Sequence, residues 1–467
     1  MVRQVKSKMT PAWKALLALT IASGGLLWHL LACTESPMAF SPDGENLAFV
    51  TMEPYDPDDM IITDTNVYRL MVLTKARELK VVEETSKFML SAPAYSPDGK
   101  QLCYLRVPLL SQEQAELLKN TEPLKHKEIK IEFDPTGDSE IPDSVALAEP
   151  EISDMTLPPV EQVFETVEHI KSAAQIPAAL LVRDAQSYEI ISQTKITIPL
   201  SKEGMELLFS YLLSKPQYSP DSQWIYLAAP YFIAGVNPTE NKMGILAGPV
   251  SFGKDIPSFT MAAVSPNGKT IATITGGKEP VLGLIQTDGQ KTNYLRLKGT
   301  PSASGVVWRD DKTLVLLIPA EEKDKSQIEL RFLHADGSEQ KTITVDLPGL
   351  KRDDDSTMGE LAISPNGRFM VLAFLNQIYF LTIEGKLLHH MELPKEIGLV
   401  QPTFSPDSQQ VAFKYLAEEK NNLGRVTEIV FFTPQGKEVT RFKVPPSQFM
   451  QEAIEKSKAP QKEKMGK

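Results

Sequence analysis

Residues 38–50 read MAFSPDGENLAFV: an apolar start, a Ser-Pro-Asp-Gly turn, and an apolar run leading away from it. The order of the turn residues has a physical logic. Pro42 presets the backbone angle needed at the second turn position, Asp43 suits the third, and Gly44 accepts the left-handed conformation that lets a return strand begin. Ser41 opens the turn. With strand-forming residues on both sides, the stretch predicts a tight antiparallel hairpin.

The phrase recurs as AYSPDGKQLCYL (94–105), QYSPDSQWIYL (217–227), AVSPNGKTIATI (263–274), AISPNGRFMVLAF (362–374) and TFSPDSQQVAF (403–413). The corresponding turn residues are Pro97, Asp98 and Gly99; Pro220 and Asp221; Pro266, Asn267 and Gly268; Pro365, Asn366 and Gly367; and Pro406 and Asp407. A degenerate copy, GVVWRDDKTLVLLI (305–318), keeps the apolar–turn–apolar pattern but puts Trp308-Arg309 where Ser-Pro would stand. Runs such as Leu314 to Ile318 are apolar without alternation, as expected of strands covered on both faces.

A second turn follows the return strand: Thr287-Asp288-Gly289, Ala335-Asp336-Gly337, Ile383-Glu384-Gly385 and Pro434-Gln435-Gly436. Two hairpins per unit make four strands. Pro220 and Pro266 are 46 residues apart, and Pro365 and Pro406 are 41 apart. Four-stranded units in series at that period predict an all-β fold, a seven-bladed β-propeller over residues 38–444. Six or eight blades also fit the count. The repeats resemble the WD-like propeller repeats of TolB-type proteins. TolB itself carries a separate α/β domain before the propeller, for which residues 33–38 leave no room, so its partners are not carried over. The turn aspartates cap every unit and are therefore expected to be structural.

Residues 1–32 supply Arg3, Lys6, Lys8 and Lys14 and no acid, followed by an uncharged run from Ala15 to Cys33. This resembles a bacterial lipoprotein signal peptide, with Cys33 as the acylated residue and 33–37 as a short tether. An uncleaved signal anchor is the alternative, since the run is long enough to span a bilayer. Either reading implies an exported body held at a membrane, in the periplasm or at the cell surface.

On propeller geometry both kinds of tight turn emerge on one face, and every longer connection emerges on the other. The largest connection, 108–178, holds 15 acidic residues against 5 lysines. It is expected to be partly helical: Val160, Val163, Phe164 and Val167 form an apolar stripe that either packs on the rim or docks a partner. A polar tail, 445–467, follows the propeller, with a short helix expected over 447–457.

With a formal net charge of −11, the chain repels phosphate backbones, so nucleic-acid binding is not expected. Its two cysteines, Cys33 and Cys103, exclude a disulfide framework and a cysteine-built zinc site. The six histidines show no catalytic spacing, and no Gly-x-Ser-x-Gly elbow is present. Asp56, Asp58 and Asp59 are calcium candidates, as are Asp353 to Asp355, but neither group has EF-hand spacing and a solvated loop is the plainer reading. No cofactor is expected. The expectation is a non-enzymatic, membrane-tethered propeller serving as a protein-binding scaffold in a bacterial envelope, its partner an envelope or membrane protein. One rival is an enzyme or small-ligand propeller working at the central channel. Another is a structural cell-surface or peptidoglycan-associated protein.

Overall fold

Each Ser-Pro turn is closed by its serine. In the first, the Gly44 N–H donates to the Ser41 carbonyl at 2.8 Å, and the Asn46 N–H, on the return strand, donates to Ser41 Oγ at 2.9 Å. The hydroxyl in turn donates to Asp43 Oδ1 at 2.5 Å, and that oxygen also accepts the Glu45 N–H at 3.0 Å. Ser96, Ser219, Ser265, Ser364 and Ser405 repeat the arrangement with Asp98, Asp221, Asn267, Asn366 and Asp407. The hairpin is therefore specified by its own side chains.

These turns organise a computed structural model that describes residues 38–451, apart from 54–66, 109–174, 200–214, 230–231, 248–258, 276–279, 290–291, 298–304, 320–325, 351–358, 375–376, 394–400, 419–424 and 449–450. The chain forms seven antiparallel sheets, each from consecutive strands in sequential order. They occupy residues 39–85, 88–199, 217–247, 259–296, 305–346, 360–392 and 403–443, called blades 1 to 7. Neighbouring innermost strands lie side by side around the ring, and the first meets the last. The count of seven settles the alternatives of six and eight. The degenerate copy supplies the first two strands of blade 5, Gly305–Trp308 and Thr313–Pro319, whose turn is held by Arg309 N–H on the Thr313 carbonyl at 2.9 Å.

Blade 2 departs from the pattern. Its innermost strand is split into Phe88–Leu90 and Ala94–Tyr95, both paired with Gln101–Pro108. Ser91 bridges the break by accepting the Leu105 N–H on its hydroxyl at 2.8 Å. The expected insertion is also shorter at its ends than 108–178. Pro108 closes a strand, and Gln175–Asp184 is already strand, with Ala178 buried. Prolines are tolerated there because Pro108 and Pro177 each have a paired strand on one side only, leaving an edge where a missing N–H breaks no ladder bond. The apolar stripe from Val160 to Val167 lies outside the described residues, as do Cys33, Asp56, Asp58, Asp59 and Asp353 to Asp355. Of the tail, Gln448 and Gln451 are helical, and the Gln451 N–H donates to the Ser447 carbonyl at 2.9 Å.

The core lies between blades rather than within any one of them. Non-alternating strands such as Val67–Thr74 and Gln377–Thr382 are buried almost throughout, because both faces of each blade meet a neighbour. One cluster joins Met38, Phe49 and Met71 of the first blade to Ala412, Ile429 and Val444 at the end of the last. The ring closes by this packing, with four strands from each blade's own sequence.

Candidate functional site

The seam between blades 1 and 7 is lined by residues of both blades. On the turn face it holds a groove of about 310 Å³. Its walls include Phe40 from the innermost strand of blade 1, and Phe431, Val439 and Phe442 from the outer hairpin of blade 7. Phe40 and Phe431 meet edge to face, ring centres 6.4 Å apart, and both stay half-buried, as does Phe442. Val439 is 48% exposed, one of five large apolar side chains so exposed among the described residues. Buried Leu47 and Leu73 also line the groove.

The polar part of the groove is acidic. Asp43 and Asp407, the turn caps of blades 1 and 7, line it together with Glu45, Lys75 and Arg77. The hydroxyl of Ser41, then the Glu45 N–H, holds the Asp43 carboxyl below the usual carboxylate range; Ser405 and the Gln409 N–H do the same for Asp407. Lys75 donates to Glu45 Oε1 at 2.5 Å and is held above its ordinary pKa first by that bond, then by the Glu45, Asp407 and Asp43 charges. Lys75 thus contacts one carboxylate, Glu45, and feels the charge of two more, Asp407 and Asp43.

A second polar cluster lies at the other end of the ring, where the innermost strands begin. Lys215 Nζ donates to the Met38 carbonyl at 3.1 Å, and Thr403 Oγ1 donates to the same oxygen at 3.4 Å, joining blades 3, 7 and 1. Across the blade 6–7 boundary, Gln401 Nε2 donates to Glu360 Oε1 at 2.9 Å, while Gln401 Oε1 is buried without a protein partner. Both ionisable groups are enclosed by protein and keep only partial solvent contact. Burial pushes Glu360 up to about 7 and Lys215 down to about 8. This gathering of one lysine, one glutamate and two neutral side chains was not read from the sequence. Its members precede or begin short strands, and no motif marks them.

The remaining candidates take structural positions. Cys103 is fully buried, and burial pushes its thiol up to about 12. His389 packs on Phe380, ring centres 5.9 Å apart, and His390 stacks on Tyr379 at 4.6 Å. Among the described residues, no group of three or more His, Cys, Asp or Glu is placed to hold a metal ion, and no helix is long and apolar enough to cross a membrane.

No family model matches the chain, and no curated protein matches it. Among solved structures it is similar to a eukaryotic initiation factor, at 11% identity over 87% of each chain with a TM-score of 0.42. It is also similar to the β-propeller domain of Myceliophteria thermophila Cps50 (Swd1), at 11% identity over 58% of this chain and 84% of that one, TM-score 0.39. At such identities neither carries an activity over to this chain. What stands on the chain's own geometry is a seven-bladed β-propeller.

Proposed function

We propose that this propeller is a non-enzymatic, protein-binding scaffold of the TolB-like repeat type, exported and held at a bacterial envelope membrane through its N-terminal segment. The groove between blades 1 and 7 carries the binding reading. It offers half-buried aromatic rings, an exposed valine and ionised carboxylates in one recess, the mixture of apolar core and polar rim that suits a protein partner. The tether rests on the basic head, apolar run and Cys33 of the sequence.

Fractionation of native cells expressing the full chain, combined with chemical crosslinking, tests both parts. The full chain is expected in the membrane fraction with discrete crosslinked adducts. Cys33→Ser is expected to lose lipid incorporation, and to leave the membrane fraction if the segment is cleaved. Recovery of the full chain in the soluble fraction without adducts would contradict the proposal.

The Gln401–Glu360 pair favours a second reading, in which a small polar ligand binds beside it. The unpartnered Gln401 oxygen is the observation behind it. Stabilisation by a member of a small-ligand panel, abolished in Gln401→Leu, would favour this reading over the first.

A further inference from the structure

We infer that the groove between blades 1 and 7 takes an extended peptide segment carrying a lysine or arginine beside a bulky apolar side chain. The inference rests on the protein-binding reading above and names the chemistry of the partner.

The first argument is shape. The groove is lined from the innermost turns, at Asp43 and Asp407, to the outermost strand of blade 7, at Val439 and Phe442. A four-strand blade is roughly 14 Å wide at ordinary strand spacing, which about four extended residues would cover. The second is the wall. Phe40, Phe431 and Phe442 are only half-covered, while the side chains beneath them, Leu47 and Leu73, are already buried. A bulky side chain laid on that row would cover aromatic area without opening the core.

The third argument is charge. Asp43 and Asp407 are each held in the ionised form by a serine hydroxyl and a backbone N–H. Lys75 already spends its closest contact on Glu45. Arg77, two residues along the same turn, lines the groove as well, which leaves the five charged side chains one negative charge in excess. An incoming cation beside Asp43 and Asp407 would balance the recess, whereas an acidic segment would be repelled. The same carboxylates cap turns, so this charge is built into the fold.

The test is selection of a random peptide display library on the full chain, followed by titration of the enriched peptides. Enriched sequences are expected to carry Lys or Arg adjacent to Phe, Trp, Tyr, Leu or Met. Val439→Arg, a change at an exposed strand position that leaves the core intact, should weaken their binding about tenfold or more, and replacing the peptide's cation by alanine should do likewise. Ile191→Arg, on the exposed rim of blade 2, should leave binding unchanged. The inference is overturned if nothing enriches, if enriched peptides lack the cation, or if Val439→Arg binds as well as the unaltered chain. Discrete adducts in native cells alongside such a failure would leave the scaffold standing and move its contact surface elsewhere.

Discussion

Gly44, in the inner turn of the first blade, packs on Pro406, in the inner turn of the last: a Cβ built on the glycine would lie 3.8 Å from the proline's Cδ. Gly99 has the same relation to Pro42, at 3.7 Å. Gly268 sits still closer on Pro220. The ring is thus closed by the contact that joins its interior members, repeated between the two ends of the chain. Farther along the same seam, Lys414 Nζ donates to the Val50 carbonyl at 2.5 Å, and Arg69 reaches Glu53 and, at 3.0 Å, the Pro445 carbonyl.

Replacement of these glycines should cost stability in a defined order. Gly44 and Gly268 both have positive φ, 73° and 70°, so alanine at either is strained by about 1 kcal/mol. At Gly268 the added methyl would also collide with Pro220, whereas at Gly44 it meets only an ordinary van der Waals contact. Urea denaturation should therefore rank Gly268→Ala well below Gly44→Ala. Equal midpoints would show that the turns do not pack as described.

Two turns use serine where the others use glycine. Ser222 and Ser408 both adopt positive φ, 61° and 60°. Ser222→Gly should stabilise by roughly 0.5 kcal/mol, the left-handed strain outweighing the added freedom of the unfolded chain. Ser408→Gly should not, because the buried Ser408 Oγ accepts the Asn366 N–H of the neighbouring blade at 3.0 Å. Thermal midpoints of the two variants, moving in opposite directions, would confirm the distinction.

Glu360 predicts a particular pH dependence. Its folded pKa of about 7 lies above the ordinary 4.5, so the folded state holds the proton more tightly. Its contribution is complete below about pH 4.5 and is lost as pH rises through 7. Glu360→Gln should remove that loss, making the variant more stable than the unaltered chain at pH 8 by on the order of 1 kcal/mol, allowing for partial solvent contact. Lys215 acts in a separate window. Its folded pKa, lowered to about 8 from 10.5, makes the protein gain stability as pH rises between those values. Comparing Glu360→Gln with the unaltered chain at pH 5 and at pH 8 isolates the Glu360 effect, because the Lys215 contribution is common to both.

Between blades 1 and 2, Glu83 accepts hydrogen bonds from Arg106 and Arg183, each at 2.8 Å, and from the Tyr104 hydroxyl. Burial opposes its charge, but these donors outweigh it and hold its pKa below the ordinary value. Its stabilising contribution is therefore present above about pH 4.5 and lost on acidification. Glu83→Ala would leave two largely buried guanidinium groups facing each other, at a cost of about 3 kcal/mol. Chemical denaturation of this variant and of the Glu83→Ala/Arg183→Ala pair should show strong coupling.

Much of the fold was legible in the sequence because the turns carry their own chemistry. Pro42, Asp43 and Gly44 announce a hairpin wherever they recur, and the degenerate Trp308-Arg309 copy was recognisable from its flanking apolar runs. The role of Ser41 was harder to see, since its hydroxyl acts on the return strand five residues later. Blade 2 was misjudged at its edges because Gln175 to Ala178 contains a proline and pairs on one side only. The groove could not be read at all. Phe40 and Phe431 are separated by nearly the whole chain, and only ring closure brings them together. Lys215 and Met38, 177 residues apart, meet across blade 2.

The most direct measurement of the scaffold account is site-specific photo-crosslinking in native cells, with a photoreactive residue at Val439 and, as a control, at Ile191 on the rim of blade 2. Both positions are exposed, but only Val439 lines the groove. The account predicts a discrete protein adduct from position 439 and none from position 191. No adduct from 439, or the same adducts from both positions, would contradict it.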